Sequence, residues 1–177
     1  MIFVDDRAVI NMMRRTREIE TFTVSCEDDR GCKLKVLIEA MGHINFGHDQ
    51  ATDRKGLIVF EELGSDAVYK WTIYKIPVHD SAILGWDNTA SSLTFPAIYK
   101  AELNLASVGD TYLDMSAYKK GYIYVNGHLL GRYWDLGPQK RVFCPGVWLN
   151  NGTNVVTVFE LLEGGAQNIR GFDTLKE

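Results

Sequence analysis

A cluster of aromatic, cationic and amide side chains lies between positions 126 and 134 of the chain. Aromatic rings can stack on the apolar face of a hexose, while amide, imidazole and guanidinium groups hydrogen-bond its hydroxyl groups. The combination therefore predicts a carbohydrate-binding surface. The candidate residues are Asn126, His128, Arg132, Tyr133 and Trp134, together with Trp86 from a separate polar segment.

The same residues also fit a purely structural role. Tyr133 and Trp134 are neighbours on an expected strand, so one ring would fill a core while the other covers the outer surface. Asn126 and Gly127 form a dipeptide typical of the two-residue type I′ turn. The sequence leaves the sugar surface and the packing role as open alternatives.

The burial of the three tryptophans other than Trp134 can be predicted from the residues around them. Trp71 and Trp148 lie among residues typical of a core, so we expect both to be packed. Trp86 lies in a polar segment and is expected to be exposed, either as a ligand contact or as an interface anchor.

Catalytic signatures are missing from the sequence. Retaining glycoside hydrolysis needs two carboxyl groups about 5–5.5 Å apart, and nothing among the 23 acidic residues singles out such a pair. Glu61 and Glu62 are adjacent, so on a strand they would point to opposite faces. His43 and His48 do not have the spacing of a zinc motif. We therefore expect no catalytic residue, no metal and no cofactor.

Short strands must position the candidate groups. Residues 122–125 are aromatic and β-branched, the Asn126-Gly127 turn follows, and residues 129–134 return, which predicts a hairpin. Strands this short, separated by turn signals about every 8–12 residues, indicate a sandwich or jelly roll. The expected fold class is all-β. The other strands expected in this half of the chain are 99–105, 111–114, 142–144, 154–162 and 168–172.

The first part of the chain also reads as β-structure. Residues 3–4 and 9–10 predict a hairpin, Leu34, Val36 and Ile38 alternate onto one face, and strands are expected at 22–25, 57–60 and 69–76. These patterns divide the chain into a partial β-sandwich over 1–78, a linker over 79–94 and a jelly roll over 95–177. A jelly roll needs about eight strands, and the first segment offers only about five or six, which would leave strand edges unpaired. We therefore expect the first segment to pack on the second or to form a homodimer.

Composition excludes several classes of partner. The net charge of −4 over 177 residues argues against nucleic acid, since phosphate binding needs a concentrated basic patch. No stretch approaches the ~20 apolar residues of a membrane helix, and no signal-peptide core follows Met1. We expect a soluble chain without a signal peptide or membrane partner, in a compartment that the sequence leaves open. The parent protein would be periplasmic or secreted if it carried a signal.

The chain contains three cysteines. Cys26 and Cys32 flank an expected hairpin loop, and we favour two free thiols there, because a disulfide requires an oxidising compartment. Cys144 lies between Phe143 and Pro145 and is expected to be a small buried apolar residue.

Several phrases together resemble the C-terminal β-sandwich region of family 35 glycoside hydrolases, the β-galactosidases. Residues 37–47 are similar to "VENMGRINYG", 53–56 to "D-x-K-G", 71–77 to "W-x-x-Y-x-L-P", and 95–99 to "PAFY". Residues 121–139 carry the "VNGxxLGRYW" and "GPQ" phrases. The chain departs from the first phrase at Ala40, His43 and Phe46, where the family has Asn, Arg and Tyr.

The resemblance implies a non-catalytic role, because the family's two catalytic glutamates lie on a barrel whose motifs match no position here. We expect a galactose-binding-domain-like region that supports such a barrel and contacts galactose-containing glycans. The alternatives are a free-standing carbohydrate-binding module and a structural or oligomerisation domain.

Overall fold

The computed structural model describes residues 1–10, 23, 25–26, 31–56, 62–63, 66–67, 71–80, 85, 95–163 and 168–175. The chain divides into two compact units, Met1–Thr72 and Ile73–Glu177. Within the described ranges the regular elements are β-strands and two short 3₁₀ helices, with no α-helix. The predicted all-β fold class is therefore confirmed. None of the described helices is long and apolar enough to cross a bilayer.

The first unit contains a three-stranded antiparallel sheet in the order β2-β1-β3. Its strands are β1 (Ile2–Val4), β2 (Arg7–Ile10) and β3 (Leu34–Val36). Asp5 and Asp6 form the turn between β1 and β2 with φ angles of 47° and 66°, which confirms the predicted hairpin. The short strands β4 (Glu62–Leu63) and β5 (Asp66–Ala67) form a separate pair.

The pattern predicted for the third strand holds only over its first half. Leu34 and Val36 are half-buried and Lys35 is exposed, as the alternation requires. The strand ends at Val36, and Ile38 is exposed rather than on the inner face. Alternation along a sequence places side chains on one face only while the strand remains paired, and the pairing of β3 with β1 ends at Val36.

The strand predicted over 69–76 is wrong for its described part. Residues 71–76 form no strand, and all six are exposed. Ile73 and Tyr74 have the β-favouring side chains that led to the prediction, but β-propensity reflects packing against neighbouring strands more than backbone preference. Trp71, expected to be packed, is exposed. The strand predicted over 57–60 lies outside the described residues, as do residues 22 and 24 of the strand predicted over 22–25.

The second unit is a sandwich of two antiparallel sheets. One sheet has the order β6-β11-β8-β9, and the other has the order β10-β7-β12. The predicted strands of this half are confirmed with small shifts in their ends. They are β6 (Ala97–Leu105), β7 (Thr111–Asp114), β8 (Lys120–Val125), β9 (His128–Trp134), β10 (Arg141–Cys144), β11 (Gly152–Glu160) and β12 (Gly171–Phe172).

The core of the second unit lies between these two sheets. Leu113 and Val142 come from the smaller sheet, and Ile123 and Val158 come from the larger one. Their alternation along each strand follows the period of two that places every second side chain inward. Cys144 is a free, fully buried thiol in this core, as predicted.

Cys26 and Cys32 form a disulfide with a Cα–Cα separation of 5.1 Å. The expectation of two free thiols is therefore wrong. The separation lies within the range that a disulfide spans without backbone movement. The sequence spacing alone could not supply this distance, because it depends on the path of the intervening loop.

Candidate functional site

The predicted surface is built on the β8–β9 hairpin. Asn126 and Gly127 adopt φ angles of 50° and 81°, the paired positive values of a type I′ turn. Val125 pairs with His128 at the turn, and Lys120 pairs with Trp134 at the other end. His128 and Trp134 are six residue steps apart along the strand, a distance of roughly 20 Å. The structure therefore distributes the predicted cluster over two ends of the hairpin.

Trp134 lies at the base of the hairpin, and two cations lie close to its ring. Its half-buried ring centre is 4.8 Å from the Lys120 Nζ and 5.6 Å from the Arg132 Cζ. These are cation–π distances. The indole Nε1 is buried without a hydrogen-bond partner among the described residues. The ring is therefore held by the protein's own charged groups.

Tyr133 points the other way, into the sandwich core. It is 3% exposed, and its hydroxyl donates to the Glu160 Oε2 at 3.2 Å. Burial, reinforced by the adjacent Glu160 carboxylate, raises the pKa of Tyr133 well above its usual range. The phenol therefore stays protonated and lies inside. The arrangement of Tyr133 and Trp134 is the one that the packing role requires.

Asn126 uses its side-chain amide within the protein. Its Nδ2 donates to the Trp148 carbonyl and to the Asn154 Oδ1, both at 2.8 Å, and its Oδ1 accepts from the Val155 N–H at 2.9 Å. Asn154 is 0% exposed and also accepts from the Asn150 N–H at 2.7 Å. Asn126 therefore fixes the turn to the loop before β11 and is saturated without a ligand.

An aromatic pair that the sequence did not predict lies at the hairpin turn. The rings of His128 and Trp148 are parallel within 15°, and their centroids are 4.8 Å apart. His128 is exposed and Trp148 is half-buried, so the packed position expected for Trp148 is only partly correct. Trp148 lies in the 3₁₀ helix Gly146–Trp148, and no sequence signal links it to position 128. Trp86 lies outside the described residues.

Glu160 is the fully buried carboxylate of the second unit. Its Oε1 accepts from the backbone N–H groups of Lys120 at 2.9 Å and Leu162 at 3.2 Å. Its Oε2 accepts from the Lys119 N–H at 3.0 Å and from the Tyr133 hydroxyl. Four donors surround one carboxylate, which joins the start of β8, the end of β11 and the middle of the core. No motif in the sequence indicates this residue.

No cluster of three or more His, Cys, Asp or Glu side chains suited to a metal ion occurs in the described part of the chain. The expectation that the chain uses no metal stays a prediction. His43 lies in the loop before the 3₁₀ helix His48–Ala51, and His48 is the first residue of that helix. Both side chains are exposed.

Comparison with known proteins places both parts of the chain. Residues 1–77 match the first all-beta domain of beta-galactosidase, and residues 96–154 match the beta-galactosidase galactose-binding domain. Human beta-galactosidase-1-like protein 2 is 35% identical over 133 residues, which are 72% of this chain and 21% of that protein. Beta-galactosidase 1 of Dictyostelium discoideum is 36% identical over 153 residues, 80% of this chain and 22% of that protein.

The beta-galactosidase of Xanthomonas manihotis is 34% identical over 144 residues, 80% of this chain and 23% of that protein. The chain thus spans between 21% and 23% of the length of these three curated relatives. The two domain matches lie in succession and cover most of the sequence. The chain belongs to the β-galactosidase family and corresponds to the first all-beta domain and the galactose-binding domain of that family.

Proposed function

We propose that the chain supports the catalytic domain of a β-galactosidase and hydrolyses no β-galactoside by itself. The observation that carries this proposal is the succession of two β-domain matches, at residues 1–77 and 96–154. We propose domain bounds of 1–78 and 95–177, joined by a linker over 79–94, and these bounds contain both matches. Limited proteolysis is expected to cut first within the linker, and first cuts inside β6–β11 would contradict these bounds.

The positions of the buried acids support the absence of hydrolysis. Among the described residues the two buried carboxylates are Asp53 and Glu160. Asp53 accepts from the Ile44 N–H at 2.9 Å and pairs with the Lys55 ammonium. Glu160 is closed off by four donors. A retaining glycosidase needs one protonated and one ionised carboxyl on either side of a sugar, and neither residue is open to one.

A chromogenic β-galactoside assay at high protein concentration tests this. We expect no turnover above a heat-inactivated sample. Glu160→Gln and Asp53→Asn serve as matched variants that remove each buried carboxylate. Turnover that follows the chain through successive purification steps would refute the proposal, and its loss in a variant that remains folded would identify the residue responsible.

An ordered loop in the first unit supports the domain-supporting role. Between β3 and Gly56 the side chains of Ile38, Met41, Ile44 and Phe46 are exposed, and we call these four the apolar loop surface. Phe46 is 89% exposed. The buried Asp53 holds the backbone of Ile44 in place. A contiguous exposed apolar patch marks an interaction surface, and we propose that these four side chains form one; the relatives are several times longer than the chain.

The supporting role makes a genomic and a biochemical prediction. The reading frame directly upstream is expected to encode a family 35 barrel, in frame or separated by a stop codon. Co-expressed with that barrel, the chain is expected to co-purify, and Phe46→Asp should abolish the association. Leu136→Asp, at an exposed leucine of the second unit, is the matched control and should leave it unchanged.

Other outcomes of the same experiment refute the supporting role. The absence of a barrel-encoding frame upstream would do so, as would failure of the chain to co-purify with the barrel. Co-purification that Phe46→Asp leaves intact would instead reject the apolar loop surface as the contact. Light scattering of the chain alone tests the structural alternative. A dimer that Phe46→Asp converts to a monomer would assign the apolar loop surface to a second copy of this chain.

Carbohydrate binding is the second candidate function. It is favoured by the match of residues 96–154 to a galactose-binding domain and by the exposed aromatic pair at the hairpin turn. It is compatible with the supporting role, because the two functions use different residues.

A further inference from the structure

We infer that the stacked rings of His128 and Trp148 form a shallow platform on which a terminal galactose residue binds. The inference rests on the second candidate function and assigns it a site. The platform lies where the β8–β9 turn meets the 3₁₀ helix Gly146–Trp148. It combines one residue from the predicted cluster with one that the sequence placed in the core.

The geometry of the pair leaves aromatic surface for a ligand. The two rings are parallel within 15° at a centroid distance of 4.8 Å, so one face of the imidazole is covered by the indole. Because His128 is exposed, its other face meets solvent. Val147, which precedes Trp148 in the sequence, is also exposed.

Partly buried hydrogen bonds hold the platform in place before any ligand binds. The Asn126 Nδ2 donates to the Trp148 carbonyl, and the Asn126 backbone N–H donates to the Val155 carbonyl. Asn154 joins Asn126 to the Asn150 N–H from a fully buried position. The turn that carries His128 and the loop that carries Trp148 therefore share one anchor. A preformed site loses little conformational entropy on binding.

The chemistry of the pair selects a neutral sugar with an apolar face. The axial 4-hydroxyl of galactose leaves the C3, C4 and C5 hydrogens together on one side of the ring, and such a patch stacks on an aromatic face. Trp134 offers a weaker platform, since the protein's own Lys120 and Arg132 cations already lie against its ring. A surface platform encloses only part of a monosaccharide, so we expect roughly millimolar affinity.

The test titrates the full chain with galactose, lactose and glucose, using saturation-transfer NMR and tryptophan fluorescence. Galactose and lactose are expected to bind at roughly millimolar concentration, and glucose more weakly. His128→Ala removes only an exposed side chain and should weaken galactose binding by about tenfold. His128→Phe restores a stacking ring and should keep the affinity near that of the original chain.

Trp134→Phe is the matched control and should leave the affinity unchanged. Equal affinity in His128→Ala and the original chain would overturn the inference, as would loss of binding in Trp134→Phe alone. Absence of saturable galactose binding by the folded original chain would also overturn it. That last result would leave the supporting role intact, because the upstream frame and the co-purification with the barrel judge that role separately.

Discussion

Replacing Glu160 by glutamine changes one side-chain atom, yet we expect it to destabilise the second unit substantially. Glu160 is 0% exposed and accepts hydrogen bonds from three backbone N–H groups and the Tyr133 hydroxyl. All four partners act as donors. A carboxylate satisfies donors at both of its oxygens, whereas a glutamine amide can accept at only one of them.

The magnitude follows from the two ends of the carboxylate. With the glutamine oxygen kept at Lys120 and Leu162, the amide nitrogen faces the Lys119 N–H and the Tyr133 hydroxyl. The Tyr133 hydroxyl can rotate to accept, but the Lys119 N–H loses its acceptor, at a cost of about 1–3 kcal/mol. Exchanging charge-assisted bonds for neutral ones costs about 1 kcal/mol more. We expect Glu160→Gln to lower the unfolding free energy by about 2–4 kcal/mol.

Glu160→Ala should be worse, because it removes the acceptor for every donor and leaves a cavity. Urea unfolding followed by tryptophan fluorescence measures both variants through the shift of the midpoint at constant slope. Glu102→Gln, at an exposed position on β6, is the control and should stay within about 0.5 kcal/mol of the original chain. If Glu160→Gln matched Glu102→Gln, the four-donor carboxylate would carry no stability and the reasoning would be refuted.

Three further outcomes are expected. Gly121→Ala should cost more than about 3 kcal/mol in urea unfolding, because its Cβ would lie 1.8 Å from the Phe159 carbonyl oxygen, while Gly109→Ala, with nothing within 4 Å, should be neutral. When the chain is denatured without a reductant, a thiol reagent should detect one free thiol, because two of the three cysteines form the disulfide. Detection of three free thiols would refute that bond. Burial, then the Asp110 charge, raises the pKa of Cys144 to about 11. The protonated Cys144 thiol therefore stabilises the fold fully below the unfolded-state pKa of about 8.5. This stabilisation is lost as the pH rises towards about 11. In Cys144→Ser the urea midpoint should therefore fall less steeply as the pH rises above about 8.5. An unchanged pH dependence of the midpoint would show that Cys144 is not the group responsible.

Sequence reasoning succeeded where local chemistry decides the backbone. The Asn126-Gly127 dipeptide supplies the two positive φ angles of a type I′ turn, and the strands on either side pair as the predicted hairpin. The strand over 111–114 was predicted with both ends correct. In these segments the turn residues and the alternation of side chains agree, so little depends on distant parts of the chain.

Sequence reasoning failed where distant residues decide. Residues 71–76 have strand-like side chains but no strand, because a ladder needs a partner that composition does not reveal. The stack of Trp148 on His128 joins the start of β9 to the 3₁₀ helix Gly146–Trp148, twenty positions further along the chain. The four-donor pocket of Glu160 is assembled from β8, β9 and β11. Each of these features depends on residues that are distant in sequence and close in space. Hydrophobic periodicity and strand propensity carry no information about such contacts.

The residues that carry the family resemblance are largely those that build the fold. In the phrase over 121–134, Gly121 leaves room for the neighbouring strand, Asn126 joins the turn to the loop before β11, and Tyr133 meets the buried Glu160. Each of these roles would serve a sandwich whatever ligand it bound, so the phrase identifies the architecture rather than a sugar site. A ligand must contact what the fold leaves exposed. His128 is the exposed aromatic side chain of that phrase among the described residues, and its stacking partner Trp148 lies outside the phrase. Specificity can therefore change at the hairpin turn without disturbing the residues by which the family is identified.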